Sequence, residues 1–315
     1  MQPSPTLRSR PPIPWLAYGC LAASMAIVGC YVGLSKLLVA ALPIFLLAWL
    51  RFGIAAVAMA HWVRRRPGDL PLSPRDRRLL FAESFFGNFL FSICMLFGVQ
   101  WSSALAAGVI MAALPGVVAL MSWAWLGERP TQRVLAGIGF AIVGIAWVSV
   151  VKHEEGGAGT LLGNAMLIGA VLCEAIYVVI GKQLTGQVSP RRISALINLW
   201  GLALVTPLGL WQALQFDFTA VSPGIWGLLV AYAIAASMVT VWLWMTGLRQ
   251  VPASQAGVFT VCLPIAAGAT GVALLGEPFG AAQAGAFALA LAGVLLATWP
   301  SPAEGGRPPG SRQQS

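Results

Sequence analysis

Ten apolar runs of 18 residues or more fill almost the whole chain, with only short polar stretches between them. They lie near 15–34, 43–62, 79–99, 103–126, 134–151, 160–181, 193–214, 224–246, 253–275 and 281–299. A helix needs about 20 apolar residues to cross the hydrocarbon core of a bilayer, so each run is a candidate transmembrane helix. The runs are unbroken rather than alternating, which excludes a transmembrane β-barrel. Of the 315 residues, 58% are apolar and 9% charged. A soluble domain carries roughly 25% charged residues, and a disordered chain needs low hydrophobicity. The fold class is therefore all-α integral membrane protein. Cys20, Cys30, Cys94, Cys173 and Cys262 all fall inside apolar runs and read as packing residues, not a disulfide framework.

The net charge of +9 could suggest a nucleic-acid partner, but the placement of the charge argues against one. With the N-terminus in the cytoplasm, 16 of the 19 basic residues fall on the cytoplasmic side of ten spans. The densest group is Arg64, Arg65, Arg66, Arg75, Arg77 and Arg78. Only Lys36 and Lys152 fall on the opposite side, and Arg51 lies within the second run. This bias sets the orientation, with both termini cytoplasmic. Residues 1–14 are proline-rich and 300–315 rich in Pro, Gly and Ser, so both are expected to be disordered cytoplasmic tails. No small-residue cleavage signal follows the first run, which reads as an uncleaved anchor.

The chain also resembles itself at an offset of 149 residues. Ala107-Gly108-Val109 with Leu114-Pro115 matches Ala256-Gly257-Val258 with Leu263-Pro264. Leu126-Gly127-Glu128 matches Leu275-Gly276-Glu277, Gly98 matches Gly247, and Gly144 matches Gly293. Two repeats follow, at 15–151 and 160–299, each with five of the runs. Five is odd, so the second repeat enters the membrane upside down. The expected architecture is ten transmembrane helices in a 5+5 inverted-topology repeat. Such repeats are characteristic of secondary transporters, whose substrates bind near the midplane where the repeats meet.

On these residues the chain resembles the EamA family of the drug/metabolite transporter superfamily. The resemblance rests on the two Leu-Gly-Glu turns with Pro130 and Pro278 just after, the Leu-Pro pairs upstream, mid-run Arg51, and Gly137 and Gly144. It covers about residues 15–299. It implies a central cavity lined mainly by spans 1, 3, 4, 6, 8 and 9. It also implies transport of amino acids in some members and of other small metabolites in the rest. The loop sequences Ser-Pro-Arg-Arg at 189–192 and Lys-His-Glu-Glu at 152–155 match no subfamily.

The candidate cavity residues come from those spans. Pro115 and Pro264 sit midway along equivalent runs, where a proline kinks a helix and frees a carbonyl. Glu174 is the most deeply placed carboxylate, with Tyr177 on the same helical face. Insertion of such a group costs on the order of 3 kcal/mol, so it should face the interior. It could bind a substrate amine, carry a proton, or pair with another buried group. Ser84, Asn88 and Ser92 form one polar stripe at helical spacing, and Ser237, Thr240 and Trp244 another. Each could line a hydrated path or hydrogen-bond between helices. Tyr31, Met111, Gln255 and Thr260 complete the set. Arg51 could bind a substrate carboxylate or be a structural anchor paired with a carboxylate; the resemblance places its span outside the cavity, which favours the structural anchor. Glu128 and Glu277 read as structural turns, and Glu83 as an interfacial salt bridge beside Arg77 and Arg78. The pairs Gly137/Ala141 and Ala281/Gly285 read as close helix packing.

No metal-ligand spacing, phosphate loop or Ser-His-Asp arrangement is present, so no cofactor, metal or catalytic residue is expected. The expected function is an inner-membrane secondary transporter, an exporter of amino acids or related compounds, working by alternating access. A multidrug or cationic-compound exporter is the alternative within that class. An integral-membrane lipid-modifying enzyme and a passive channel are the alternatives outside it. The expected partners are a small-molecule substrate and the lipid bilayer, with no nucleic acid and with homo-oligomerisation left open.

Overall fold

Short Ser-Pro steps and isolated prolines punctuate this chain and start its helices. The computed structural model describes residues 15–64, 71–126, 132–154, 158–184, 188–248 and 257–298. Both tails, Glu128 and Gln255 lie outside them. Helix α1 spans Trp15–Ala41 and α2 spans Ile44–Ala58. Pro43 separates them: it has no N–H to continue α1, and its fixed φ of −57° opens α2. Ser73 caps α3 (Pro74–Glu83), its Oγ accepting from the Asp76 N–H while Asp76 accepts from the Ser73 N–H. Ser189-Pro190 and Ser222-Pro223 begin two later helices in the same way.

Helix α3 runs through a π-helical segment, Ser84–Leu90, into α4 (Phe91–Trp101). Next come α5 (Ala104–Met111), α6 (Leu114–Leu126), α7 (Gln132–Glu154), α8 (Ala158–Leu184) and α9 (Pro190–Ala213). Helix α10 (Pro223–Ile234) runs through a second π-helical segment, Ala235–Val239, into α11 (Thr240–Leu248). A 3₁₀ segment, Gly257–Val261, leads into α12 (Cys262–Ala273), and α13 is Ala281–Thr298. Among the described residues there is no strand.

Six helical segments are long and apolar enough to cross a membrane: 15–41, 74–101, 104–121, 161–181, 190–213 and 223–247. The other four expected spans coincide with shorter apolar helices at 44–58, 132–144, 259–273 and 281–296. The chain is thus an all-helical, multi-pass membrane protein. The first helix is longer than its apolar run, so Lys36 lies on its last turns rather than in a loop. The second run is shorter as a helix because it breaks at Met59.

The helices pair across the two halves of the chain. Helix α1 packs along α12 and α11, α8 along α4 and α6, α2 along α9, and α7 along α13. Small residues let the backbones meet. A methyl group on Gly29 would lie 2.3 Å from the Leu263 carbonyl oxygen, and one on Gly33 2.6 Å from Thr270 Cγ2. On the α7–α13 seam, a methyl on Gly144 would lie 3.1 Å from the Ala286 carbonyl oxygen. The largest buried cluster gathers side chains from α1, α2, α4, α5, α8 and α10. The polar groups described next sit against it.

Candidate functional site

Arg51 on α2 is 5% exposed. Its Nη2 donates to Ser92 Oγ on α4 at 2.6 Å, and Ser92 Oγ donates in turn to the Asn88 carbonyl. The guanidinium lies 4.3 Å from the centroid of the Phe52 ring and 5.9 Å from that of Tyr232 on α10. Its Nε has no hydrogen-bond partner among the described residues. No described carboxylate forms an ion pair with Arg51. The anchor expected from the sequence is thus a hydroxyl and two aromatic faces.

Tyr232 meets Tyr31 of α1 edge to face, with centroids 5.5 Å apart. Tyr31 lies within electrostatic range of both Arg51 and Glu174. Tyr177, one turn beyond Glu174 on α8, lies within range of Glu174, Tyr31 and Glu83. These residues form a polar band through the interior, running from a guanidinium over three tyrosines to two carboxylates. It draws on α1, α2, α3, α8 and α10, that is, on both halves of the chain.

Glu83 is a correction to the sequence reading. It is 0% exposed, and neither carboxylate oxygen has a hydrogen-bond partner among the described residues. Arg77 and Arg78 stand six and five residues before it, and at 3.6 residues per turn neither shares its face. Leu79 and Leu80 do share it, and Leu80 is buried among Leu184, Val188, Ile193 and Ile197. That apolar face was the signal that Glu83 points inward.

The polar stripe on the third span is also corrected. Ser84 Oγ donates to the Ile197 carbonyl of α9 at 2.7 Å, whereas Ser92 faces Arg51. The π-helical segment between them shifts the register, so an i, i+4, i+8 row does not stay on one face. Asn88 lies inside that segment with its side-chain Nδ2 unpartnered. Ser237 is in the second π-helical segment, also with an unpartnered hydroxyl, while its carbonyl accepts from Ser194 Oγ at 2.9 Å. Residues 88 and 237 are separated by the repeat offset. So are Glu83 and Tyr232, which makes Tyr232 legible as a site residue in retrospect.

Thr240 donates to the Ala236 carbonyl at 2.8 Å, and its own carbonyl accepts from Ser24 Oγ at 2.8 Å. Trp244 packs with Ala17 and Leu21 of α1 and also against the largest buried cluster, which holds Tyr31 and Tyr232. Met111 is buried at the end of α5. Residues 112–113 interrupt the helix just ahead of Pro115. The 3₁₀ segment just ahead of Pro264 holds the partly buried Thr260 and marks the matching place in the second half. Each proline removes the donor that would have closed the preceding turn. Asn198 on α9 was not singled out by the sequence. It is 1% exposed, donates to the Ser194 carbonyl at 2.9 Å, and has an unpartnered Oδ1. Glu277 lies apart from the band, where it accepts from Lys36 Nζ and from the first two N–H groups of α5.

Comparison with known proteins bears on what this interior does. The EamA-like transporter family matches the chain twice, at residues 15–150 and 161–299. The chain is 34% identical over 266 residues to the "Uncharacterized transporter YetK" of Bacillus subtilis (strain 168), covering 84% of this chain and 81% of that protein. It is 25% identical over 256 residues to an "Uncharacterized transporter" of Archaeoglobus fulgidus, covering 79% and 87%. A crystal structure of a protein 17% identical in sequence shares the fold, with a TM-score of 0.58 over 88% of this chain and 94% of that one. The two tandem family matches fall on the two halves of the chain and agree with the sequence repeat. The chain belongs to the EamA-like transporter family and is a membrane transporter, not an enzyme.

Proposed function

We propose that this transporter exports small amphoteric metabolites, amino acids or related compounds, by alternating access. The reading takes all ten apolar segments as spans of a 5+5 inverted repeat in the inner membrane, with both termini cytoplasmic. The reciprocal packing of α1 on α12 and α8 on α6, and of α11 on α1 and α4 on α8, supports a two-fold relation between the halves. The excess of basic residues on one side supports the orientation.

One observation carries the substrate class: the Arg51 guanidinium and the Glu174 carboxylate both lie within electrostatic range of Tyr31. A substrate with a carboxylate and an ammonium satisfies both ends of this band. The unpartnered Nε of Arg51 is a ready donor for the carboxylate, and Glu174 is the acceptor for the ammonium. The tyrosine rings between them supply apolar and aromatic contact. A purely cationic substrate would meet the Arg51 charge in a site of low dielectric, where like charges repel strongly. That disfavours the alternative of a cationic-compound exporter.

The test is counterflow in proteoliposomes with labelled amino acids beside their decarboxylated amines. Trans-stimulated exchange of amino acids, with the matching amines excluded, is the expected result. Exchange of the amines alone would replace this reading with the cationic one. Flux without trans-stimulation would indicate a channel.

A further inference from the structure

We propose that Glu83, at the far end of the polar band from Arg51, is a proton-binding site of this transporter through which substrate movement is coupled to a proton.

Glu83 ends α3, and the π-helical segment begins at the next residue. Segments of this kind are rare and concentrate at functional positions. The side chain points at Gly181 of α8. A methyl group on Gly181 would lie 3.0 Å from Glu83 Oε1. Four residues on, a methyl on Gly87 would lie 2.3 Å from the Tyr177 ring. Glycine on each helix thus makes room for a carboxylate and for a tyrosine from the other. Among the described residues nothing fills the hydrogen-bonding capacity of the acid, since both oxygens are buried without a partner there.

The surrounding groups leave the proton as its natural ligand. From α8, Glu174 and Tyr177 lie within electrostatic range, and Glu174 is a like charge that disfavours a second ionised carboxylate. From α9, Arg191 lies over the Trp62 ring at 5.7 Å, and neither Arg191 nor Arg192 hydrogen-bonds to Glu83. On α3 itself, Asp76 is tied to Ser73, and Arg75 Nη2 donates to Gln183 Oε1 at 3.3 Å. Arg77 and Arg78 are exposed on other faces. A hard metal cation needs several oxygen ligands, yet the nearest hydroxyl in sequence, Ser84 Oγ, is committed to the Ile197 carbonyl. An ionised carboxylate inside a membrane protein is sustained by a partner or by water, and otherwise by taking up a proton. When α3 and α8 separate as the transporter opens toward one side, water reaches Glu83 and the proton leaves. When they close, an ionised Glu83 is unfavourable, so closure requires reprotonation. That requirement links helix motion to proton movement. Tyr177, in range of both acids, connects this step to Glu174 in the substrate band.

The proposal rests on the transporter reading above, and two measurements keep their failures apart. The first is infrared difference spectroscopy of the reconstituted full chain titrated from acidic to alkaline buffer. A protonated-carboxyl band should appear in wild type and be lost in Glu83→Gln. The second uses a labelled amino acid that shows counterflow, and compares accumulation driven by an imposed pH gradient with counterflow itself. In Glu83→Gln the ratio of gradient-driven accumulation to counterflow should fall at least about tenfold, and Glu83→Asp should restore part of it. Asp76→Asn serves as a control, because Asp76 is an acid on the same helix that is held by Ser73. It should leave the band in place. An unchanged carboxyl band in Glu83→Gln, or gradient-driven accumulation equal to wild type, overturns the proposal. So does accumulation driven by a sodium gradient and not by a pH gradient. Absence of counterflow for every amino acid overturns the substrate reading instead, while the infrared titration still decides whether Glu83 binds a proton.

Discussion

Lys36 Nζ lies 2.7 Å from Glu277 Oε1, joining the last turns of α1 to the loop between α12 and α13 across 241 residues of sequence. The same Oε1 accepts the Ala104 N–H and Oε2 accepts the Leu105 N–H, each at 2.9 Å. Ser103 Oγ accepts the Ala106 N–H at 3.0 Å. Three of the four N–H groups that begin α5 are therefore satisfied by two side chains, one of them from the other half of the chain. Gly276, at φ +65°, turns the chain so that the carboxylate can reach them. Glu277 follows a Leu-Gly turn, and its carboxylate meets a distant helix rather than the one it follows.

The stability conferred by Glu277 should depend on pH. Burial alone would raise its pKa; the hydrogen bond from Lys36, the N–H groups of Leu105 and Ala104 and the Lys36 charge outweigh it and lower the value. A carboxylate whose pKa is depressed on folding stabilises above its unfolded value, about 4.3 for glutamate. That contribution is lost as pH falls through the folded value. Thermal unfolding in detergent should therefore show a drop in acid that Glu277→Gln removes. Glu277→Ala should cost about 2 kcal/mol or more, since it leaves several donors unmatched. Lys36→Met should cost about 1 kcal/mol or less, because Lys36 is partly exposed and supplies one of three bonds. Equal losses in the two variants would contradict the capping role.

The α1–α12 seam should not tolerate a single methyl group. Gly29→Ala would bring Cβ within 2.3 Å of a backbone carbonyl, and only movement of a helix relieves that. A loss of about 2–3 kcal/mol or failure to accumulate in the membrane is expected. Gly53→Ala, with nothing within 4 Å of the new Cβ, is the matched control and should be neutral or stabilising by up to about 1 kcal/mol. Fluorescence-detected size exclusion after heating compares the two directly.

Arg51 should determine selectivity more than overall stability. Arg51→Leu should reduce transport of a carboxylate-bearing substrate at least about tenfold and narrow its preference over the decarboxylated amine. Arg51→Lys should not restore it, because an ammonium lacks the planar fork that reaches Ser92 with one nitrogen and leaves another free. Unchanged discrimination in Arg51→Leu, in protein that folds normally, would remove Arg51 from the substrate band.

The helix interruptions ahead of Pro115 and Pro264 should matter for motion. Pro115→Ala and Pro264→Ala restore a backbone donor at each place and favour a continuous helix. Membrane insertion should be normal and transport several-fold slower. Wild-type rates in both variants would make the prolines packing details.

Orientation is testable with single cysteines at Ser73 and Gly157 in a background lacking the native cysteines. An impermeant thiol reagent added to intact cells should label position 157 and leave position 73 unlabelled. The reverse pattern would invert the topology.

The membrane class, the repeat and the family were readable from the chain because they depend on local and periodic properties. Run length, the share of apolar residues and identity at a fixed offset need no knowledge of which helix touches which. Glu174, Tyr177 and Tyr31 were also within reach, because a polar group deep in an apolar run has nowhere to face but inward. Tertiary structure alone decided what those groups meet. Glu83 looked like a surface residue from its arginine neighbours, yet it lies against Gly181, because helical rotation and the packing of α3 on α8 determine its surroundings. Arg51 looked like half of an ion pair, yet its partners are Ser92, Phe52 and Tyr232 on three different helices. The polar stripe of the third span was broken by a π-helical turn that leaves no composition signal. Glu277 reaches the start of α5 because folding brings residues 104 and 277 together, and that proximity is a property of packing that no run of neighbouring residues encodes.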